Sequence, residues 1–135
     1  MKNSGFTLVE LLITIVVIAI VTSVAVPSYQ QHVLRSQRGD ATAALLLIAA
    51  QQEKWYLQNN TYSTSLTDLG VTDTANKFYT LSIDSADSFQ FVATASVDST
   101  GPQKADKKCK SFTLDSAGAR TAKDSDNADN SDYCW

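Results

Sequence analysis

The sequence has few of the residues that build catalytic and metal sites. It contains one histidine and two cysteines in 135 residues, with no Cys-x-x-Cys motif. This scarcity argues against a structural zinc site. No Ser/His/Asp set and no pair of carboxylates has a spacing that indicates catalysis. We therefore expect neither an enzyme nor a bound metal or cofactor.

An excess of positive charge is also absent. The formal net charge is -3 and the isoelectric point is near 4.9. Because affinity for nucleic acids comes mainly from clustered cations, this balance argues against a general polyanion binder. The length allows one domain of ordinary size.

Apolar residues are concentrated near the N-terminus, where residues 6–26 carry a single charge. As a helix this segment would be about 31 Å long, which matches a bilayer core of about 30 Å. A secretory signal has a shorter apolar region, roughly 7–15 residues, without an acidic residue inside it. The sequence Ser23-Val24-Ala25 still fits signal peptidase. An exported soluble binding protein cleaved after Ala25 therefore stays as an alternative.

The one charge in this segment is Glu10. A carboxylate inside a bilayer segment costs about 2.5 kcal/mol or more near the centre, so it indicates a functional site by default. The simpler interpretation places Glu10 near the helix start, where headgroups or the helix dipole satisfy its charge.

The N-terminal sequence has a specific resemblance. Gly5-Phe6-Thr7-Leu8-Val9-Glu10, then an apolar run, then Pro27-Ser28-Tyr29, resembles the signature of type IV pilins. The resemblance implies that a peptidase cuts between Gly5 and Phe6 and that the new N-terminal Phe6 is methylated. It also assigns the family's glutamate to Glu10 and its helix-breaking proline to Pro27.

The resemblance implies three regions. These are a leader at 1–5, a transmembrane and assembly helix at 6–27, and a periplasmic or extracellular head at 28–135. The expected function is that of a structural subunit of a filament for adhesion, twitching motility or DNA uptake. The expected partners are other pilin subunits, a prepilin peptidase, an assembly platform and the inner membrane of a Gram-negative bacterium. A type II secretion pseudopilin is the nearest alternative.

Cleavage would create an amine on Phe6 that can meet the Glu10 carboxylate of a neighbouring subunit. Such a buried pair adds little net stability, but removing one partner costs roughly 3–5 kcal/mol. We therefore expect the pair to act as a register check during assembly.

The helical pattern continues beyond the apolar segment. One face holds Leu34, Ala41, Leu45, Ile48 and Trp55 at helical spacing. The sequence therefore predicts one helix over about residues 6–58. Its stretch 41–50 is apolar on nearly every side and must be covered all round. Either it is a deeply buried core helix, or one face packs on a sheet and the other on a partner.

Period-two alternation follows in the C-terminal half. It occurs over 79–83, 89–97 and 111–114, with a short edge strand at 119–123. This pattern predicts an antiparallel sheet with one buried face. We expect turns at 84–88 and 115–118. The fold class is therefore α+β, a long N-terminal helix on a small antiparallel sheet, which is the pilin fold.

Cys109 and Cys134 are expected to pair, because they are the only cysteines in a domain that should be exported. The bond would contribute roughly 3.5 kcal/mol by the chain-entropy model. The disulfide-bounded loop of pilins supports the same pairing.

Charged residues cluster around this loop. The main interpretation is complementary solvated charge between four lysines and an acidic tail. Two alternatives are a lysine patch that contacts DNA or a surface, and a calcium ion held by Asp124, Asp126 and Asp129, although their spacing does not fit an EF-hand. The four lysines are Lys104, Lys107, Lys108 and Lys110.

Overall fold

A computed structural model describes residues 5–135. It contains a long helix and a four-stranded sheet, followed by a short C-terminal helix. Residues 1–4 of the predicted leader lie outside the described residues. The elements are α1 (Leu8–Asn59), β1 (Tyr79–Ala86), β2 (Phe91–Val97), β3 (Ser111–Asp115), β4 (Arg120–Lys123) and α2 (Ser131–Cys134), with a 3-10 turn at Pro102–Ala105.

The chain forms two compact units, one up to Val33 and one from Leu34 to Trp135. The first unit is the N-terminal part of α1. It is apolar and long enough to cross a membrane, with a mean hydropathy of 2.7 and none of that stretch buried. Helix α1 begins two residues later than predicted and includes Pro27. The predicted long helix is therefore confirmed.

The second unit carries the sheet. Its strands follow the order β1-β2-β3-β4, and each neighbouring pair is antiparallel. Short turns connect β1 to β2 and β3 to β4, and a longer segment that contains the 3-10 turn connects β2 to β3. Consecutive strands are neighbours throughout, so the sheet is a meander, as the alternation predicts. The structural class is α+β, which confirms the predicted fold.

The turn predicted at 84–88 is wrong in its position. Strand β1 continues to Ala86, and the chain reverses at Asp87, whose backbone N–H donates to the Gln90 carbonyl at 2.9 Å. The register of β1 against β2 shifts around Asp84, which forms a bulge. Phe89 was predicted to alternate with the strand residues, but it lies in the turn and is 90% exposed.

The core lies between the second half of α1 and one face of the sheet. Helix α1 contributes a stripe of small and branched residues, and each strand contributes every second side chain. This confirms the predicted helix face at Ala41, Leu45 and Ile48, and the predicted alternation of the strands apart from Phe89. The buried apolar residues include Ala41, Ala44, Leu45, Ile48, Tyr79, Leu81, Phe91, Ala93, Ala95, Phe112, Leu114 and Ala122.

Candidate assembly site

The start of α1 is fixed by Thr7. Its carbonyl accepts a hydrogen bond from the Leu11 N–H at 3.2 Å, and its side-chain Oγ1 accepts one from the Glu10 N–H at 3.2 Å. These two bonds make Thr7 the N-cap of the helix. Thr7 and Glu10 also have the spacing of a capping box. Glu10 therefore lies in the first turn, where the helix dipole favours a carboxylate.

The predicted cleavage point precedes this helix. Gly5, Phe6 and Thr7 have no regular secondary structure, and all three are exposed. The Phe6 side chain is 84% exposed. The bond between Gly5 and Phe6 is thus in an irregular and accessible part of the chain.

The apolar side chains of the first unit have no cover. All residues from Leu8 to Val26 are exposed, including every leucine, isoleucine and valine. A contiguous apolar surface of this extent marks a membrane or protein contact. At about 25 cal/mol per Å² of apolar surface, its burial is the largest contribution that the first unit can make to assembly.

Helix α1 lacks a backbone hydrogen bond near Pro27. Proline has no N–H, so the Ser23 carbonyl loses its usual donor four residues later. Nearby hydroxyls bond to carbonyls of the preceding turn: Thr22 Oγ1 donates to Ile18 O at 2.8 Å, and Ser23 Oγ donates to Ile20 O at 2.7 Å. Such side-chain bonds compete with the regular helical ladder.

The part of α1 in the second unit is covered on one side only. Leu45 and Ile48 are fully buried, whereas Leu46 and Leu47 are 47% and 49% exposed. The interpretation as a deeply buried core helix is therefore wrong, because the sheet covers one face alone. Beside the exposed face lies a groove of about 270 Å³, whose lining includes Leu46, Ala49, Ala50, Phe91 and Leu114.

The predicted disulfide is confirmed. The sulfur atoms of Cys109 and Cys134 are 2.01 Å apart, and both residues are buried. The bond ties α2 to the segment before β3. Next to it, the Trp135 indole N–H donates to the Thr121 carbonyl at 2.8 Å, and its ring packs edge-on against Phe112.

A buried ion pair in the head was not predicted from the sequence. Arg38 Nε lies 2.7 Å from Asp106 Oδ2, and Arg38 Nη2 lies 3.1 Å from Asp106 Oδ1. Burial lowers the pKa of Arg38, but the hydrogen bond and charge of Asp106 outweigh this, so the pKa rises above its usual value. Helical spacing could have indicated that Arg38 is buried. Arg38 precedes the buried Ala41 and Leu45 by three and seven residues, which places it on the same face of α1.

Asp106 organises the loop that leads to the disulfide. Its Oδ1 accepts hydrogen bonds from the backbone N–H groups of Lys108 and Cys109, at 3.1 and 3.3 Å. Gln103 Nε2 donates to Asp106 Oδ2 at 3.2 Å and to the Leu34 carbonyl at 3.0 Å. These contacts join the loop to the helix within the second unit.

The four predicted lysines lie together on the loop before β3. Lys104, Lys107 and Lys108 are exposed, and Lys110 is half-buried. Lys110 Nζ donates to the Lys104 carbonyl at 2.7 Å. Lys108 Nζ lies 4.8 Å from the centroid of the Tyr133 ring. Lys104 and Lys110 are therefore in contact, and three of the four lysines are exposed.

The predicted pairing of these lysines with the acidic tail is not direct. Across residues 5–135, the ion pair that the structure contains is Arg38–Asp106. Lys104, Lys110 and Asp124 instead line one cleft of about 470 Å³. The charges are thus close without being in contact.

Two of the three aspartates of the calcium alternative, Asp124 and Asp129, accept hydrogen bonds from backbone N–H groups. Asp124 Oδ1 accepts from the N–H of Asp126 at 2.8 Å and of Ala128 at 3.0 Å. Hydrogen bonds from the Ser131 side chain and backbone lower the pKa of Asp129. In the described part of the chain, no three His, Cys, Asp or Glu side chains form a group that could hold a metal ion.

Two family models match the chain. One, described as "Type IV minor pilin ComP, DNA uptake sequence receptor", matches residues 27–113. The other, described as a prokaryotic N-terminal methylation motif, matches residues 1–26. Together with the exposed apolar helix, the sheet and the disulfide, these matches define a membrane-anchored filament subunit. The chain belongs to the type IV pilin family, and it is a pilus subunit by that membership.

Several relatives agree with this. The chain is 34% identical to the fimbrial protein EcpC of Eikenella corrodens over 76% of this chain and 67% of that protein. It is 36% identical to the wide pilus major component PilA4 of Thermus thermophilus, over 69% of this chain and 75% of the relative. With the Neisseria gonorrhoeae major pilin PilE1 it shares 30% identity over 76% of this chain, but it spans only 57% of that relative.

The crystal structure of the Neisseria meningitidis non-core minor pilin PilV has the same fold. The TM-score is 0.58 at 21% identity, covering 72% of this chain and 93% of that one. At this identity the likeness concerns the fold alone.

Proposed function

We propose that the chain waits in the inner membrane of a Gram-negative bacterium as a prepilin. A prepilin peptidase then removes the leader 1–5 and methylates Phe6, and an assembly platform adds the subunit to an extracellular filament. The observation that carries this proposal is the complete exposure of the apolar residues Leu8 to Val26. Lipid covers this surface first, and neighbouring subunits cover it in the filament.

Cleavage would create the positive charge that the Glu10 carboxylate neutralises. The new amine on Phe6 is a cation placed just before the positive end of the α1 dipole. Glu10 lies in the first turn, and its side chain is exposed. The carboxylate of one subunit can therefore neutralise the amine of another once both are removed from water. Pro27, at the end of the assembly helix 6–27, supplies the weakened segment that lets the helix adapt to its neighbours.

Replacement of Gly5 by valine is expected to block cleavage without altering the head. A methyl group at the Gly5 Cα would meet no described atom within 4 Å, and its backbone does not have a positive φ. The chain itself therefore does not require glycine at this position, and the requirement comes from the peptidase. The mass of the membrane-bound protein and the filament yield measure the outcome.

Gly39→Val is the matched control, because Gly39 is also exposed and equally free of neighbours. We expect the control to be cleaved and the Gly5 variant to stay at full length and form no filaments. Efficient cleavage of Gly5→Val between the same two residues would contradict the proposal.

A role in DNA uptake is a second candidate. It is favoured by the family model over residues 27–113, whose description names a DNA uptake sequence receptor, and by the exposed lysines before β3. Each lysine that neutralises a phosphate releases counterions, and this makes the slope of log K against log salt more negative by about 0.9. The overall charge of -3 makes any such binding depend on this cluster.

The triple variant Lys104→Gln, Lys107→Gln, Lys110→Gln is expected to lose most affinity for duplex DNA. The slope of log K against log salt should fall in magnitude by about 2.7. The control replaces Lys54 and Lys77, which are exposed but lie outside the cluster. Equal effects of the two variants, or no salt-dependent binding by the unmodified chain, would exclude this role.

Membership of the type IV pilin family favours this account over both alternatives. A type II secretion pseudopilin shares the apolar helix, but the named relatives are pilus components. An exported soluble protein cut after Ala25 would lose Glu10 and the segment matched by the methylation motif. The disulfide of the head is compatible with any exported protein and does not separate the three.

A further inference from the structure

The boundary between irregular chain and helix lies two residues after the proposed cleavage point. Helix α1 begins at Leu8, and Gly5, Phe6 and Thr7 precede it without regular structure. At this boundary Thr7 Oγ1 accepts a hydrogen bond from the Glu10 N–H at 3.2 Å and so caps the helix. Without this acceptor, that N–H would have no partner in the first turn.

The sequence offers a competing start for the same helix. Asn3 and Ser4 also carry side chains suited to an N-cap. A helix that began there would include the Gly5–Phe6 bond in its first turn. In an apolar environment such an extension is favoured, because each unpartnered backbone N–H costs several kcal/mol. Some feature must therefore stop the helix before it reaches the bond.

Peptidases act on exposed chain with an irregular or extended backbone, not on bonds inside a helix. We propose that Thr7 is a positioning residue for the cleavage, because its cap holds the Gly5–Phe6 bond outside the helix. This inference rests on the proposed processing between Gly5 and Phe6. It assigns Thr7 a role in exposing the bond, whereas Glu10 acts after the cut.

The test compares Thr7→Val with Thr7→Ser in the full-length chain. Valine keeps the branched shape of threonine and removes the hydroxyl, while serine keeps the hydroxyl. Detergent-solubilised protein is treated with purified prepilin peptidase, and the cleavage rate is followed by mass. We expect Thr7→Val to be cleaved about two- to fivefold more slowly, the upper limit being the factor typical of losing one N-cap bond. Thr7→Ser should be cleaved at close to the original rate.

A second measurement does not depend on the enzyme. Backbone NMR chemical shifts of Gly5 and Phe6 in micelles report whether these residues are helical. We expect non-helical values in the original chain and in Thr7→Ser, and a shift toward helical values in Thr7→Val.

Equal rates and equal chemical shifts in the three proteins would overturn the inference. A slow Thr7→Val with unchanged, non-helical shifts would also overturn it, since the peptidase would then read the hydroxyl directly. Failure of the original chain to be cut at Gly5–Phe6 would instead refute the proposed processing.

Discussion

Replacement of Glu10 by alanine is expected to leave a processed subunit in the membrane and to reduce filament yield at least a hundredfold. Cleavage precedes the use of the carboxylate, so the mature mass should be unchanged. In the filament, the Phe6 amine of a neighbour would lose its partner within an apolar core. Leaving one buried charge unpaired costs roughly 3–5 kcal/mol, which corresponds to this factor in the association constant.

Glu10→Gln is the informative companion. Glutamine keeps the size of the side chain and one acceptor oxygen, but it has an NH2 donor in place of the second oxygen and lacks the charge. We expect it to assemble poorly as well, because the amine needs a counter-charge rather than a neutral acceptor. The yield of sheared filaments, with the membrane pool of mature subunit as reference, is the measurement. Normal filament yield from Glu10→Ala would refute the role of this carboxylate.

Replacement of Asp106 by alanine is expected to destabilise the head by about 3–5 kcal/mol. The Arg38 guanidinium would stay buried without its partner, and the N–H groups of Lys108 and Cys109 would lose their acceptor. Typical single substitutions cost far less, about 1 kcal/mol on average. Urea unfolding of the full chain in detergent, followed by near-ultraviolet circular dichroism, gives the difference.

Two variants separate the ion pair from a general effect of mutation. Asp73→Ala removes an exposed carboxylate and should change the stability by less than about 0.5 kcal/mol. The double variant Arg38→Met, Asp106→Asn removes both charges and keeps an acceptor for the backbone. It should be more stable than Asp106→Ala alone. If Asp106→Ala and Asp73→Ala unfold at the same urea concentration, the pair contributes nothing of this size.

The apolar N-terminal helix could be predicted from the sequence because its requirements are local. A long apolar run, one acidic residue and a proline at the far end need no knowledge of the rest of the chain. The core face of the helix and the alternation of the strands were equally accessible, since both follow from fixed periods of 3.6 and 2 residues. The disulfide followed because only two cysteines are present.

The ion pair that the sequence did not predict depends on a contact between distant parts of the chain, and the other missed features are local details of turns and backbone hydrogen bonds. Arg38 and Asp106 are 68 residues apart, and neither has a local pattern that pairs them. Phe89 continues the alternation of β2 by sequence, but β1 extends to Ala86 and Phe89 lies in the turn that follows, where its N–H donates to Asp87 Oδ1. The lysines and aspartates near the disulfide have opposite charge, yet backbone N–H groups already occupy Asp124.

The N-terminal residue of the subunit in assembled filaments tests the account most directly. Filaments are sheared from cells, and the purified subunit is analysed by N-terminal sequencing and mass spectrometry. The account predicts N-methylated Phe6 as the first residue. A subunit that begins at Val26, or that keeps Met1 and the leader, would contradict it.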